Sequence, residues 1–255
     1  MNNITIRVFH GSFELSRAAA DLFASTAQAA VSARGRFITA LSGGGSPRAM
    51  YEMMAKSPYR ELLPWDKMLF FWGDERCVPP DDAESSYNQA RTAWLAHVPV
   101  LEGNIFRAKG ELGPLAAAED YARQLKSVAD AGLDWPRFDL VLLGLGADGH
   151  TASLFPGSAE TRGVATVAVT AHYQDRPANR VSLTPDVFNA AHYVVFLATG
   201  AEKAQALATT LTGAREPVKY PAQRIWPTDG NVYWLVDEAA ASLLPEKIEG
   251  VTIQC

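Results

Sequence analysis

The chain has 255 residues, 48% apolar and 20% charged, which is ample material for the core of a soluble globular protein. A net charge of −5 with no basic stretch argues against a nucleic-acid binder, which needs cations to displace counterions from a phosphate backbone. No apolar run reaches the ~18 residues that span a bilayer, and Met1–Arg7 lacks the basic and apolar blocks of a signal peptide, so no membrane partner is expected either.

Strand-like and helix-like segments alternate along the chain. Ile4–His10 is a short β-rich run, and the alanine-rich Ser12–Ala33 reads as a helix with Phe13, Leu15, Leu22, Phe23 and Val31 available for its buried stripe. Arg36–Leu41 is a second strand, stopped by Ser42-Gly43-Gly44-Gly45-Ser46-Pro47, after which Pro47–Lys56 looks helical with proline in the first turn. Lys67–Trp72 is a strongly apolar strand, followed by a polar loop and a helix around Ser86–His97. Ile105–Arg107 suggests a short strand and Pro114–Asp130 a helix. Phe138–Leu145 and His192–Thr199 are near-continuous apolar runs, as in strands of a parallel sheet covered on both faces. Ala201–Leu211 follows as a helix, Asn231–Asp237 as a last long strand and Asp237–Leu244 as a closing helix. This alternation predicts an α/β fold with a mostly parallel sheet. No linker, repeat or low-complexity tract divides it, so one domain over 1–255 is expected.

Ligands in such sheets gather beyond the carboxyl ends of the strands, which singles out three loops. In the first, Gly43, Gly44 and Gly45 let the backbone approach a ligand, Ser42 and Ser46 add hydroxyls, and the helix that follows favours an anion. A flexible strand-to-helix turn is the plain alternative, and the lysine of a Walker A loop is missing. The second loop, Gly73-Asp74-Glu75-Arg76-Cys77, puts three charges at a strand end, where they pair, serve a ligand or form a solvated turn. Arg76 has the planar fork for phosphate or carboxylate, and Asp74 and Glu75 are placed to orient it or a substrate hydroxyl. A cysteine with no identified histidine partner is rejected as a nucleophile. Cys77 and Cys255 are also too few for a disulfide framework and lack metal-ligand spacing, as in a reduced cytoplasmic protein.

The third loop runs from Gly144 to Gly157. Its G-x-G-x-x-G does not read as a dinucleotide site, because Pro156-Gly157 stops any long helix and Asp148 would face the phosphates. What remains is Asp148-Gly149-His150. A histidine, with an ordinary pKa of ~6.5, can take a proton from water near neutral pH, and Asp148 can hold its tautomer. No G-x-S-x-G elbow and no zinc-type cluster offers a competing nucleophile.

Leu41–Glu52, Phe70–Ala90 and Phe138–Ser158, with Thr199–Leu207 and Pro221–Pro227, together resemble the 6-phosphogluconolactonase family, of the glucosamine/galactosamine-6-phosphate isomerase superfamily. The resemblance covers nearly the whole chain in order. It implies a modified Rossmann-like three-layer α/β sandwich, sugar-phosphate isomerase/deaminase-like, that binds sugar phosphates and no nucleotide or other cofactor. It also implies His150 as general base with Arg76 near the phosphate. The family commonly shows Ser-Gly-Gly-Ser-Thr-Pro in the first loop. This chain keeps a hydroxyl at Ser46 and loses side-chain donation at Gly45. Glucosamine-6-phosphate deaminase is the alternative. It carries an Asn-Glu-Pro element after the triplet and Asp-Glu-Tyr in the second loop, where this chain has Ser153-Leu154-Phe155-Pro156 and Asp74-Glu75-Arg76. A non-catalytic sugar-phosphate sensor is a second alternative, disfavoured because a sensor has no need of a poised base.

On this resemblance the substrate is the δ-lactone of 6-phosphogluconate. The Gly43–Ser46 loop, Arg76 and Lys203 hold its phosphate, with Gly146 and Arg224 as further candidate contacts. His150 activates water and Asp148 orients the site. A monomer or weak homo-oligomer is expected.

Overall fold

Residues 3–254 are described by a computed structural model; Met1, Asn2 and Cys255 lie outside the described residues. In chain order the elements are β1 (Asn3–Phe9), α1 (Ser12–Arg34), β2 (Phe37–Leu41), α2 (Arg48–Met54), α3 (Tyr59–Leu62), β3 (Met68–Trp72), β4 (Asp74–Arg76), α4 (Ser86–Ala93) and α5 (Pro114–Val128). They continue as β5 (Leu140–Gly144), β6 (Thr166–Thr170), β7 (Asn179–Leu183), α6 (Pro185–Asn189), β8 (Tyr193–Ala198), α7 (Ala204–Thr212), β9 (Asn231–Asp237), α8 (Glu238–Ala241) and β10 (Val251–Gln254).

Seven strands form one sheet in the order β10-β1-β9-β8-β5-β2-β3, and every pairing in it is parallel. Successive residues of each strand face opposite sides, so Leu140 and Leu142 of β5 join the core under α1, α2 and α4, while Val141 and Leu143 join the core under α5, α6 and α7. Both faces are thus dry, which is why β5 and β8 read as continuous apolar runs. The first core closes around Trp94, which stacks on Tyr51 at 5.5 Å and meets the edges of Phe23 and Phe70 at 5.4 and 5.5 Å. The three-layer parallel architecture agrees with the sequence expectation.

The departures have local causes. Phe13 is 64% exposed, because it lies opposite the face of α1 that Leu15, Ala19, Phe23, Ala27 and Ala30 bury at helical spacing. Alanines supply most of that face, so the helix can lie close to the sheet. Gly35, in the left-handed region with φ +74°, ends α1 by donating to Val31 O. Ile105–Arg107 forms no strand; Ile105 makes a single bridge to Phe70. The helix expected over Ser86–His97 stops at Ala93 and gives way to a 3₁₀ turn, and the closing helix is only Glu238–Ala241.

The polar stretch after β3 is a strand rather than a loop. Gly73 carries the chain out of the parallel sheet, its N–H on Leu41 O and its carbonyl accepting from Leu183 N, both at 2.8 Å. β4 then pairs antiparallel with β7, and β7 with β6, making a second sheet in the order β4-β7-β6. Strands β6 and β7 are not expected from the sequence, although Thr166–Thr170 alternates β-branched residues, and Asn231–Asp237 is not the last strand, since β10 follows it and pairs with β1.

Candidate active site

The carboxyl ends of β2, β3 and β5 meet the tip of the β6–β7 hairpin around a cleft of about 170 Å³. A larger open depression of about 1140 Å³ lies beside α2 and α4, but its charges are surface groups such as Arg48 and Glu52, which pair with each other.

The glycine loop forms one wall. Tyr51 fixes its root, its hydroxyl accepting from Ser42 N at 3.1 Å and donating to Ser42 O at 2.8 Å. A side chain at Gly43 would run into Ser86, so α4 packs directly on the loop. The Gly44 N–H donates to Gln89 Oε1 at 2.8 Å, which leaves the Gly43, Gly45 and Ser46 amides as the donors without a partner among the described residues. Helix α2 is only seven residues long, so the loop offers an anion local amides rather than a helix dipole.

β4 divides its three charges among three tasks. Asp74 lines the cleft and accepts a 2.6 Å hydrogen bond from Ser153 Oγ. Glu75 does not reach the cleft. Its buried carboxylate accepts from Arg76 N, Ser86 N and Tyr87 N at 2.7–2.8 Å and from Ser85 Oγ at 3.0 Å, clamping the start of α4. Burial pushes its pKa up against those four donors. The expectation that Glu75 contacts substrate is therefore corrected: α4 needs that carboxylate for its first amides. Arg76 lines the cleft, bonded to the Glu84 carbonyl, with its buried Nε lacking a partner among the described residues.

Arg180, absent from the sequence-derived site, stands directly opposite Arg76 across the β4–β7 pair. It is 3% exposed, donates from Nε to Pro177 O at 3.0 Å, and lies 5.3 Å over the Phe155 ring. Its Nη2 is buried without a partner among the described residues. Burial lowers its pKa, Arg76 and Arg176 adding to the effect while Asp74 and Glu84 oppose it. Two buried guanidiniums side by side repel each other unless an anion sits between them. Arg176 and Lys203 also line the cleft, making four cations against the single carboxylate of Asp74 at its wall. Arg224 is elsewhere. Its guanidinium donates to Pro217 O at 2.8 Å, Ser158 Oγ at 3.1 Å and Ser158 O at 2.7 Å, stapling two loops together. As a candidate substrate contact it is corrected, since its donors are spent on these two loops and it does not line the cleft.

The third loop holds the histidine. No helix follows β5 before α6, so its glycines serve something other than a pyrophosphate. A side chain at Gly146 would collide with the His150 ring and the Asp148 carboxylate, and Gly149 has φ +84°. His150 Nδ1 lies 2.6 Å from Asp148 Oδ1, which also accepts the His150 N–H at 3.1 Å. Burial works against the Asp148 charge, but the hydrogen bonds and charge of His150 outweigh it and hold the carboxyl below its ordinary pKa. An ionised Asp148 can only accept, so in the neutral imidazole the proton sits on Nδ1 and the lone pair on Nε2. Phe155 and Tyr173 pack on the ring at 4.6 and 4.7 Å. Cys77 is half-buried, and burial, with the Glu75 charge, pushes its thiol up to about 11, so it is no thiolate near neutral pH.

A parallel α/β fold with a basic, glycine-walled cleft at its carboxyl edge, and a carboxylate-tethered histidine in that cleft, is the architecture of an enzyme for small anionic substrates. Residues 11–234 match the family described as glucosamine-6-phosphate isomerases/6-phosphogluconolactonase, and the chain belongs to that family. A 6-phosphogluconolactonase of Synechocystis sp. is 41% identical over 219 residues, 84% of this chain and 88% of that protein. One from Nostoc sp. is 37% identical over 242 residues, 94% of this chain and 98% of that protein. The structure of the Trypanosoma brucei 6-phosphogluconolactonase superposes with a TM-score of 0.83 at 31% identity, covering 96% of this chain and 99% of that one.

Proposed function

We propose that the chain hydrolyses 6-phospho-D-glucono-1,5-lactone to 6-phosphogluconate, the second step of the oxidative pentose phosphate pathway, with His150 as general base. What carries this assignment is the 2.6 Å contact of His150 Nδ1 with Asp148, which leaves Nε2 as the ring's proton acceptor in a cleft lined by cations. Nε2 takes a proton from water as its oxygen attacks the lactone carbonyl. The tetrahedral intermediate then expels the ring oxygen, which receives the proton back from His150. A positioned base of this kind contributes ~10²–10⁴-fold. The buried pair Arg76 and Arg180 anchors the phosphate, with Arg176, Lys203 and the Gly43, Gly45 and Ser46 amides around it. Binding the phosphate removes the entropic cost of orienting the ring. Asp74, fixed by Ser153, is placed for a sugar hydroxyl. Gly146 contributes space rather than a contact, since its missing side chain admits the His150–Asp148 pair.

Water is the only co-substrate this chemistry requires. The chain is taken to work as one domain in the cytoplasm, as a monomer or weak homo-oligomer, with no nucleic-acid or membrane partner. Deaminase chemistry is disfavoured because Phe155 packs on the histidine where a second carboxylate would be needed.

Freshly generated lactone and glucosamine 6-phosphate, supplied in parallel, test the assignment. The expected result is 6-phosphogluconate appearing well above the spontaneous rate, with no ammonia. Ammonia release without lactone turnover would contradict it, and silence in both assays would point to a sensor.

A further inference from the structure

The tip of the β6–β7 hairpin is built from residues poorly suited to so tight a turn. Arg176 N donates to Tyr173 O at 3.1 Å, and the two residues between them, Gln174 and Asp175, have φ of +48° and +54°. Two successive positive φ values define a type I′ turn, where Asn-Gly is the ordinary choice and a glutamine is strained. Such strain persists only where the surroundings hold it, and it clusters at ligand clamps. Here the turn delivers Tyr173, Gln174 and Arg176 to the cleft, and Arg176 lies 3.6 Å from Glu84, tying the tip to the loop before α4.

Tyr173 is the member that meets the histidine. Its ring stands edge-on to the His150 ring, 4.7 Å away at 74°, and 5.8 Å from Phe155, which lies on His150 at 4.6 Å and 30°. Burial, then the Asp148 charge, raises the Tyr173 pKa while the Ala147 amide opposes them, so its hydroxyl stays protonated beside the Asp148 loop. The Asp148 hydrogen bond fixes one edge of the imidazole but not the tilt of its plane. Gly146 offers no side chain to hold the ring from its own side.

We propose that Tyr173 is a positioning residue for the hydrolysis, its ring wedging the His150 imidazole with Phe155 into the one orientation that keeps Nδ1 on Asp148 and presents Nε2 to the water. This rests on His150 being the base.

The test measures kcat and KM for the lactone in wild type, Tyr173→Ala, Tyr173→Phe and His150→Ala, and records the His150 ring signals by NMR in the folded proteins. Small misplacements of a reacting group cost up to ~10²-fold, so Tyr173→Ala is expected to lower kcat roughly 10- to 100-fold with KM within about threefold. Tyr173→Phe regains most of kcat. The His150 signals lose the Tyr173 part of their ring-current displacement in the alanine variant and keep it in the phenylalanine variant. Wild-type kcat in Tyr173→Ala, a change in KM alone, or a phenylalanine variant as slow as the alanine one overturns the proposal. Full activity in His150→Ala would instead overturn the base assignment beneath it, so the two failures are distinguishable.

Discussion

Among single residues, Arg180 and Arg224 make the sharpest contrast, because both are buried arginines yet only one faces the cleft. A hydrogen bond to a charged group contributes about 1.5–3 kcal/mol, so Arg180→Ala is expected to raise KM about 10- to 150-fold with kcat less affected. Arg224→Ala should leave KM alone and lower the unfolding midpoint, since its bonds to Ser158 and Pro217 join loops rather than bind ligand. Steady-state kinetics and a thermal melt on the two variants check both statements. Asp148 has a pH signature of its own. Its folded-state pKa lies below the ordinary carboxylate value, so its charge stabilises the fold above that ordinary value and the contribution is lost as pH falls through the folded one. Asp148→Asn should therefore flatten the acid side of the stability profile, measured by urea unfolding between neutral and acid pH. An unchanged profile would mean the pair contributes nothing to folding.

At the scale of elements, the glycine-rich loop after β5 and the clamp on α4 are the parts to perturb. Gly146→Ala places a methyl group on the His150 ring, so kcat should fall by about 10²-fold while the sheet, whose strand β5 ends at Gly144, keeps its far-ultraviolet circular dichroism spectrum. Glu75→Ala strands the Ser86 and Tyr87 amides and Ser85 Oγ at the start of α4, together with the Arg76 amide of β4, and should cost about 3 kcal/mol in urea unfolding. These two sites also show how far the sequence could be read. The parallel strands announced themselves because both faces are covered, and the Asp-Gly-His loop because an aspartate and a histidine beside glycines at a strand end need a purpose. Glu75 misled because adjacent charges at a strand end look alike until their partners are known, and three of its four partners come from ten to twelve residues further on. Arg180 escaped for the opposite reason. It became a site residue only through pairing with β4, roughly a hundred residues earlier, and its own strand carries too little apolar sequence to stand out.

For the molecule as a whole, the seven-stranded sheet brings the three loops to one edge, and Gly73 hands the chain to a second sheet that carries Arg180 and Tyr173 to the same place. The cleft therefore has one wall from each sheet, and a phosphate held between them should stabilise both together. A ligand at 100 times its Kd adds about 2.7 kcal/mol to a fold that binds it. Saturating 6-phosphogluconate should accordingly raise the melting temperature of wild type, and raise that of Arg180→Ala much less. The most direct test of the central claim is single-turnover hydrolysis of the lactone by wild type and His150→Ala, both saturated with enzyme over substrate. The account predicts a chemical step slower by roughly 10²–10⁴-fold in the variant, with substrate still bound; an unchanged step would show that another group takes the proton from water.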